Sequence, residues 1–213
     1  MTCSCLDPRD KYFSKQAADS AARYRKKGLD APQRVLHRAL TGGENGGKTL
    51  LEIGCGVGGL HLELLKSGFA AAHGVDVSAG MIDRARELAG EMGLAARVSY
   101  HVGDLDALQR VLPEVDVVVM DKVLCCDSNP LLLVRSAAAK TRDVLAVSYP
   151  RDGVLARLSF TLLTLLGRIL HWSFHPFYHE PTMLHAAIVA EGFSEIHAAT
   201  TPIWQIGVFR RKE

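Results

Sequence analysis

The stretch TLLEIGCGVGGLHLELLKSG, Thr49 to Gly68, constrains the fold of this chain more than any other. A short apolar run enters a glycine-rich turn, and an amphipathic helical pattern follows. A strand–turn–helix of this kind needs positions without a Cβ, both for the tight turn and for close approach of a ligand to backbone N–H groups. Two fingerprints overlap on it. Gly54, Gly56 and Gly59 satisfy G-x-G-x-x-G, while Glu52, Gly54, Gly56 and Gly58 satisfy an acidic residue followed by alternating glycines.

The pattern beyond this unit repeats it. Short strands are predicted at Thr49–Ile53, Ala72–Val77, Arg97–Val102, Val115–Met120 and Asp143–Ser148, with helices between them at about Gly59–Lys66, Ala79–Glu91 and Pro130–Ala139. Alternation at this spacing predicts an α/β fold, a parallel sheet with helices on both faces. The continuous apolar runs VDVVVM and DVLAV are what strands buried on both faces require. A long helix at Gly153–His171 and a second at Thr182–Glu191 follow, and then SEIHAATTPIWQIGVFR reads as an antiparallel hairpin. At the other end, Tyr12–Lys27 reads as one helical stretch. Asp30, Pro32 and Gln33 open a helix that runs to about Leu40, with a capping Asp, Pro in the first turn and Gln three residues on.

Composition narrows the class. With 213 residues, 48% of them hydrophobic, the chain can bury a substantial core as one domain, 1–213. A formal charge of +2 and a pI of 8.3 point away from a nucleic-acid partner; the clusters Arg23–Lys27 and Arg210–Lys212 read as solvated surface. The polar start MTCSCLDPRDK and an odd count of five cysteines predict a reduced, cytoplasmic setting without a disulfide framework. The longest uncharged run in the most apolar region, Leu158–Gly167, falls well short of the roughly 18 residues of a spanning helix.

The glycine loop alone does not choose a cofactor. A nicotinamide dinucleotide would seat its pyrophosphate on the following helix N-terminus. S-adenosylmethionine has no phosphate, and the loop would cradle its amino-acid part. Glu52 ends the first strand beside the loop, suited to an ammonium-bearing ligand. Asp76 ends the second strand, 18 residues after Gly58, where a carboxylate accepts both ribose hydroxyls. In VGDLDAL, Asp104 is positioned to accept from an adenine amino group, with Leu105 packing the ring.

On the motifs LLEIGCGVGG, GVDVSAGMI, VGDL and VDVVVMDKVL, in that order over about Leu50–Ser148, the sequence resembles the class I S-adenosylmethionine-dependent methyltransferases. The resemblance implies a Rossmann-like, mostly parallel seven-stranded sheet closed by the C-terminal hairpin. It implies a cofactor pocket of Gly54, Gly56, Asp76, Met81, Asp104 and Leu105, to which Glu52, Gly58, Val77 and Asp121 are added as neighbours. A narrower resemblance, carried by ARYRKKGLDAPQRVL, VLCCDSNP and VSYP, is to the magnesium-protoporphyrin O-methyltransferases and their bacterial relatives. Tyr24 falls near the tyrosine that helps close the active site there. Where those enzymes carry a histidine after the fourth strand, this chain carries Cys125 and Cys126. The implied organisation is an N-terminal helical cap at 1–41, a cofactor-binding core at 48–150, a substrate-covering insertion at 151–180, and a C-terminal helix and hairpin at 181–213.

Methyl transfer from a sulfonium is an in-line displacement, accelerated mainly by holding the nucleophile against the methyl group. A base is needed only for an acceptor that arrives protonated. The candidates on the acceptor side are Tyr24, Asp121, Cys126 and His175. Asp121 reads equally as an acceptor-orienting group or a loop carboxylate. The cysteine pair reads first as packing; a thiolate site shared with Cys3 and Cys5 is the lesser alternative. His171, His175 and His179 recur every four residues, yet Pro176 between them breaks any helix, so they read as loop histidines and no metal site is predicted. Tyr178 and Trp172 add aromatic walls or simply pack.

The helix Gly153–His171 sets Arg157, Thr161, Thr164, Arg168 and His171 along a polar stripe, against an apolar face of Leu155, Leu158, Leu162, Leu165, Leu166 and Ile169. It reads as a core helix packed on the sheet, or as a cover that suits a hydrophobic acceptor or a membrane surface. The expected activity is methyl transfer to a small or medium O-, S- or N-nucleophile. The alternatives are a methyltransferase-like binding domain without turnover and an NAD(P)-dependent oxidoreductase.

Overall fold

The computed structural model describes residues 7–43, 46–171 and 173–213. The described strands are β1 (Thr49–Ile53), β2 (Ala71–Asp76), β3 (Val98–Val102), β4 (Val115–Asp121), β5 (Thr141–Pro150), β6 (Phe193–Thr200) and β7 (Trp204–Arg211). They form one seven-stranded sheet in the order β3-β2-β1-β4-β5-β7-β6. β1 pairs in parallel with β2 on one side and β4 on the other, while β7 runs antiparallel to both β5 and β6. Chain order reverses between β1 and β4, so a crevice opens beyond their carboxyl ends, where ligands bind in open α/β sheets.

The helices are α1 (Pro8–Ser14), α2 (Ala17–Lys27), α3 (Ala31–Thr41), α4 (Gly59–Lys66), α5 (Ala79–Glu91), α6 (Leu105–Leu108), α7 (Pro130–Lys140), α8 (Val154–Ile169) and α9 (Pro181–Ala190). Alternate residues of the central strands feed opposite faces. Leu51, Val118, Met120, Leu145 and Val147 pack with α7 and α9 through Leu133, Val134, Leu184 and Ile188. Leu50, Val117, Val119, Val144 and Ala146 pack with α3 and α4 through Leu36, Leu40, Leu60 and Leu64. That two-sided burial is the reason for the unbroken apolar runs.

Caps fix several helix starts. Asp30 and Gln33 form a reciprocal capping box on α3, Ser78 accepts from the Met81 N–H on α5, and Asn129 accepts from the Leu132 N–H on α7. Two expectations need correction. The stretch Tyr12–Lys27 is not one helix: α1 ends at Ser14 and α2 begins at Ala17. The break lets α1 turn onto the start of α5, where a Cβ at Gly80 would come 2.9 Å from the Ser14 hydroxyl. Nor is α8 a core helix on the sheet. Leu158, Leu162, Leu165, Leu166 and Ile169 are exposed, and of its described residues Phe160 and Gly167 are the buried ones. No described helix is long and apolar enough to cross a membrane.

Candidate functional site

A cavity of about 520 Å³ lies beyond the carboxyl ends of β1, β2 and β4, walled on its outer side by α1, α2 and the start of α3. The glycine loop forms its floor. Gly54, Gly56 and Gly58 all take positive φ, at 67°, 53° and 82°. Their side-chain space differs. A Cβ on Gly54 would come 2.6 Å from Cγ2 of Val123, and one on Gly58 2.7 Å from the His61 ring. Gly59 is closed by the ring of Tyr24, also 2.7 Å away. A Cβ on Gly56, by contrast, would meet no atom within 4 Å. Of the expected cofactor glycines, Gly54 and Gly56 border the cavity and Gly58 does not; its glycine requirement comes from its backbone and from His61.

Glu52 is buried at the head of α4. Its carboxylate accepts from the His61 backbone N–H at 3.2 Å and from His61 Nδ1 at 2.6 Å, and His61 Nε2 reaches the Tyr100 hydroxyl at 2.9 Å. The first turn of α4 thus already holds a carboxylate, and the Tyr24 ring lies against Gly59, an arrangement ill suited to a pyrophosphate there. The residues fit S-adenosylmethionine instead: the open cradle at Gly56, the carboxylate of Glu52 on the cavity wall, and no demand for a phosphate.

Asp76 is buried at the end of β2. One oxygen accepts from the Gly56 N–H at 2.8 Å and the other from the Ser78 N–H at 2.9 Å. Burial, with the charge of Glu52 adding to it, pushes the Asp76 carboxyl up to about 6 against those two hydrogen bonds. Val77, Met81, Asp104 and the buried Leu105 continue the wall.

Asp104 does not stand alone. Arg9, on α1, donates to it at 2.5 Å, to Asp7 at 2.7 Å, and lies 3.7 Å from Asp127. α1 is latched further along: Asp10 accepts from the Ala79 N–H at 3.1 Å, and the Ser14 hydroxyl lies 2.8 Å from that of Ser78. Arg9 was not among the residues expected from sequence. The signal lies in LDPRD, where Asp7 caps a helix that opens on Pro8 and so brings Arg9 into its first turn.

On the acceptor side, β4 delivers Asp121, which is buried and accepts from the Ser148 hydroxyl at 2.5 Å and from Lys122 Nζ at 3.1 Å. Burial raises the Asp121 carboxyl above the usual range; Lys122 and Ser148 oppose that shift. Lys122 sits at φ 57°, uncommon for a residue with a side chain. The same Nζ reaches Asp30 at 2.5 Å, tying the start of α3 to the end of β4. Cys126 lines the cavity in the 3-10 turn Leu124–Cys126; its Cys125 neighbour, then burial, hold its thiol well above the usual range. It is therefore a thiol, not a thiolate, at neutral pH. Tyr24 borders the cavity with its ring, while its hydroxyl donates to Glu63 at 2.8 Å.

No described residue of 151–180, His175 included, borders the cavity. His175 Nδ1 is buried without a hydrogen-bond partner, while His179 Nε2 lies 2.8 Å from the Asp127 carbonyl. Helix α8 ends at Ile169, so His171, His175 and His179 share no helical face. Cys3, Cys5 and Trp172 lie outside the described residues, and among the described ones no cluster of three metal-ligating side chains occurs.

Residues 50–146 match the methyltransferase domain family. The biotin biosynthesis bifunctional protein BioHC of Teredinibacter turnerae is 31% identical over 125 residues, 55% of this chain and 21% of that protein. A probable chloroplastic tocopherol O-methyltransferase of Oryza sativa subsp. japonica is 36% identical over 67 residues, 32% of this chain and 18% of that protein. The chain thus spans about a fifth of the length of these curated relatives. Among solved structures, magnesium protoporphyrin IX methyltransferase from Synechocystis PCC 6803 with bound S-adenosylhomocysteine superposes with a TM-score of 0.75 at 19% identity, covering 97% of this chain and all of that one. At that identity the likeness is one of fold.

Proposed function

We propose that this chain, a member of the class I S-adenosylmethionine-dependent methyltransferases through residues 50–146, transfers a methyl group to a small or medium acceptor seated against Asp121, Lys122 and Cys126. The observation that carries this reading is that one continuous cavity is bordered both by Gly56, Asp76 and Asp104 and by Asp121, Lys122 and Cys126. Its volume, about 520 Å³, is within the range of small-molecule sites.

S-Adenosylmethionine, when bound, supplies an electrophilic methyl group on a sulfonium. The chain's own residues do the positioning. Gly56 lets the backbone approach the ligand, Asp76 accepts from the ribose hydroxyls, and Leu105 and Met81 flank the base. Glu52, held by His61, faces the amino-acid end. Asp121 orients the acceptor and, for one that arrives protonated, receives its proton; burial raises the carboxyl above the usual range, in the direction that favours this transfer. Residues of α1 to α3 form the outer wall around the bound pair.

Calorimetric titration with S-adenosylhomocysteine, in parallel with NADH, tests the cofactor half. Micromolar binding of the former alone is expected, and binding of NADH alone would refute it. A panel of phenols, thiols, amines and carboxylates, read by release of S-adenosylhomocysteine, tests the acceptor half. Binding without turnover on any of them would favour a binding domain.

A further inference from the structure

Helix α8 leaves the end of β5 with its apolar side turned away from the protein. At about 100° per residue, Phe160 and Gly167 define the side that meets the rest of the chain. Arg157, Arg168 and Thr161 flank that side. Leu158, Leu162, Leu165 and Ile169 fill an arc on the far side, each between 53% and 62% exposed. Scattered exposed leucines are ordinary, but a continuous stripe of them along one helix marks a surface that something covers.

We propose that α8 is an in-plane membrane anchor that docks this protein on a bilayer surface rich in anionic lipid. The charge pattern selects that occupant. Between Gly153 and His179 the chain carries Arg157 and Arg168 and no Asp or Glu. Arg157 is shared with Asp152 at 3.0 Å and with the Tyr178 ring, whereas no carboxylate pairs with Arg168 among the described residues. An apolar arc with basic residues at its border is the signature of a helix lying at the headgroup–acyl boundary. Two copies packed through this face would set like charges together with no acid on the segment to pair them. The two threonines suit burial at the interface: the Thr161 and Thr164 hydroxyls bond back to the carbonyls of Arg157 and Phe160 at 2.9 Å. The acceptor cannot be the occupant, because no described residue of α8 borders the cavity.

The test is flotation of the full chain with vesicles of phosphatidylcholine alone or with roughly one-third phosphatidylglycerol. Wild type should float with the anionic vesicles and be released by salt. Leu158→Asp, Leu162→Asp and Ile169→Asp together should lower partitioning by about tenfold or more. Arg168→Glu should lower it by less. Melting temperature and S-adenosylhomocysteine affinity should not change in either variant, which separates this result from the fate of the methyltransferase reading. Wild type remaining in solution with both vesicles would overturn the proposal, as would flotation that the three aspartates leave intact. Equal binding to neutral vesicles would overturn the choice of anionic lipid. Dimerisation in light scattering that the aspartates abolish, without flotation, would assign the face to a second copy instead.

Discussion

Arg9 and Asp104 meet at 2.5 Å across 95 residues of sequence, and through that contact the first described helix closes over the place assigned to the adenine. Arg9→Gln should weaken S-adenosylhomocysteine binding about fivefold, or ~1 kcal/mol, by loosening α1. Folding stability should move by less than ~1 kcal/mol, since both side chains keep solvent contact. Titration calorimetry beside urea unfolding separates the two; a large loss of stability with unchanged affinity would make the contact structural.

Asp76 gives the site a pH dependence of opposite sign in folding and in binding. Its carboxyl is pushed up to about 6 by burial. Between about pH 4 and 6 the unfolded chain releases a proton that the folded chain keeps, so stability falls as pH rises, by at most about 3 kcal/mol. Cofactor binding needs the carboxylate to accept from the ribose, so affinity should rise through the same window. In Asp76→Asn that rise should vanish, and affinity at pH 7.5 should drop by about tenfold or more.

Gly59 and Tyr24 form a pair that a double-mutant cycle can read. Gly59 has no positive φ, so alanine there should gain up to about 1 kcal/mol of helix propensity. The Tyr24 ring occupies the space its Cβ needs. Gly59→Ala alone should therefore destabilise by about 1–2 kcal/mol, and in a Tyr24→Ala background it should become neutral or stabilising. Thermal melts of the four proteins give the coupling; additivity would mean the ring can move aside at no cost.

Lys122 holds two carboxylates, Asp121 and Asp30, on separate elements. Lys122→Asn keeps a residue that tolerates positive φ while removing the charge. It should cost about 3 kcal/mol by leaving Asp121 buried without its cation, and turnover should fall further than S-adenosylhomocysteine affinity. Urea unfolding and steady-state rates on any acceptor found in the panel provide the comparison.

The sheet was legible because its evidence is local. Runs such as VDVVVM report burial on both faces, and their odd and even residues do go to different helices. Asp76 and Asp104 were legible because a strand end fixes where a side chain emerges. What stayed hidden depends on partners far apart in the chain. The break between α1 and α2 exists because Ser14 must meet Ser78 and Gly80, 64 and 66 residues away. α6 spans four residues, too few for a period to register. An amphipathic pattern in α8 revealed an apolar face, but not which neighbour, if any, takes it. The same limit applied to Glu52, whose partner His61 looked like an ordinary residue of an amphipathic helix.

Phe174 lies against both Tyr12 and Phe13, its ring 5.6 and 5.4 Å from theirs, while Phe177 donates its N–H to the Cys125 carbonyl. The segment after α8 therefore touches the helix that carries Arg9 and the turn that carries Cys126. Thermodynamic reciprocity follows. Whatever free energy a surface docked on α8 imparts to the position of Phe174, and through it to α1, must return as an equal change in affinity for that surface when a ligand holds α1 in place. Occupancy of the cavity and residence at the surface would then be two readings of one coupling constant, measurable from either side.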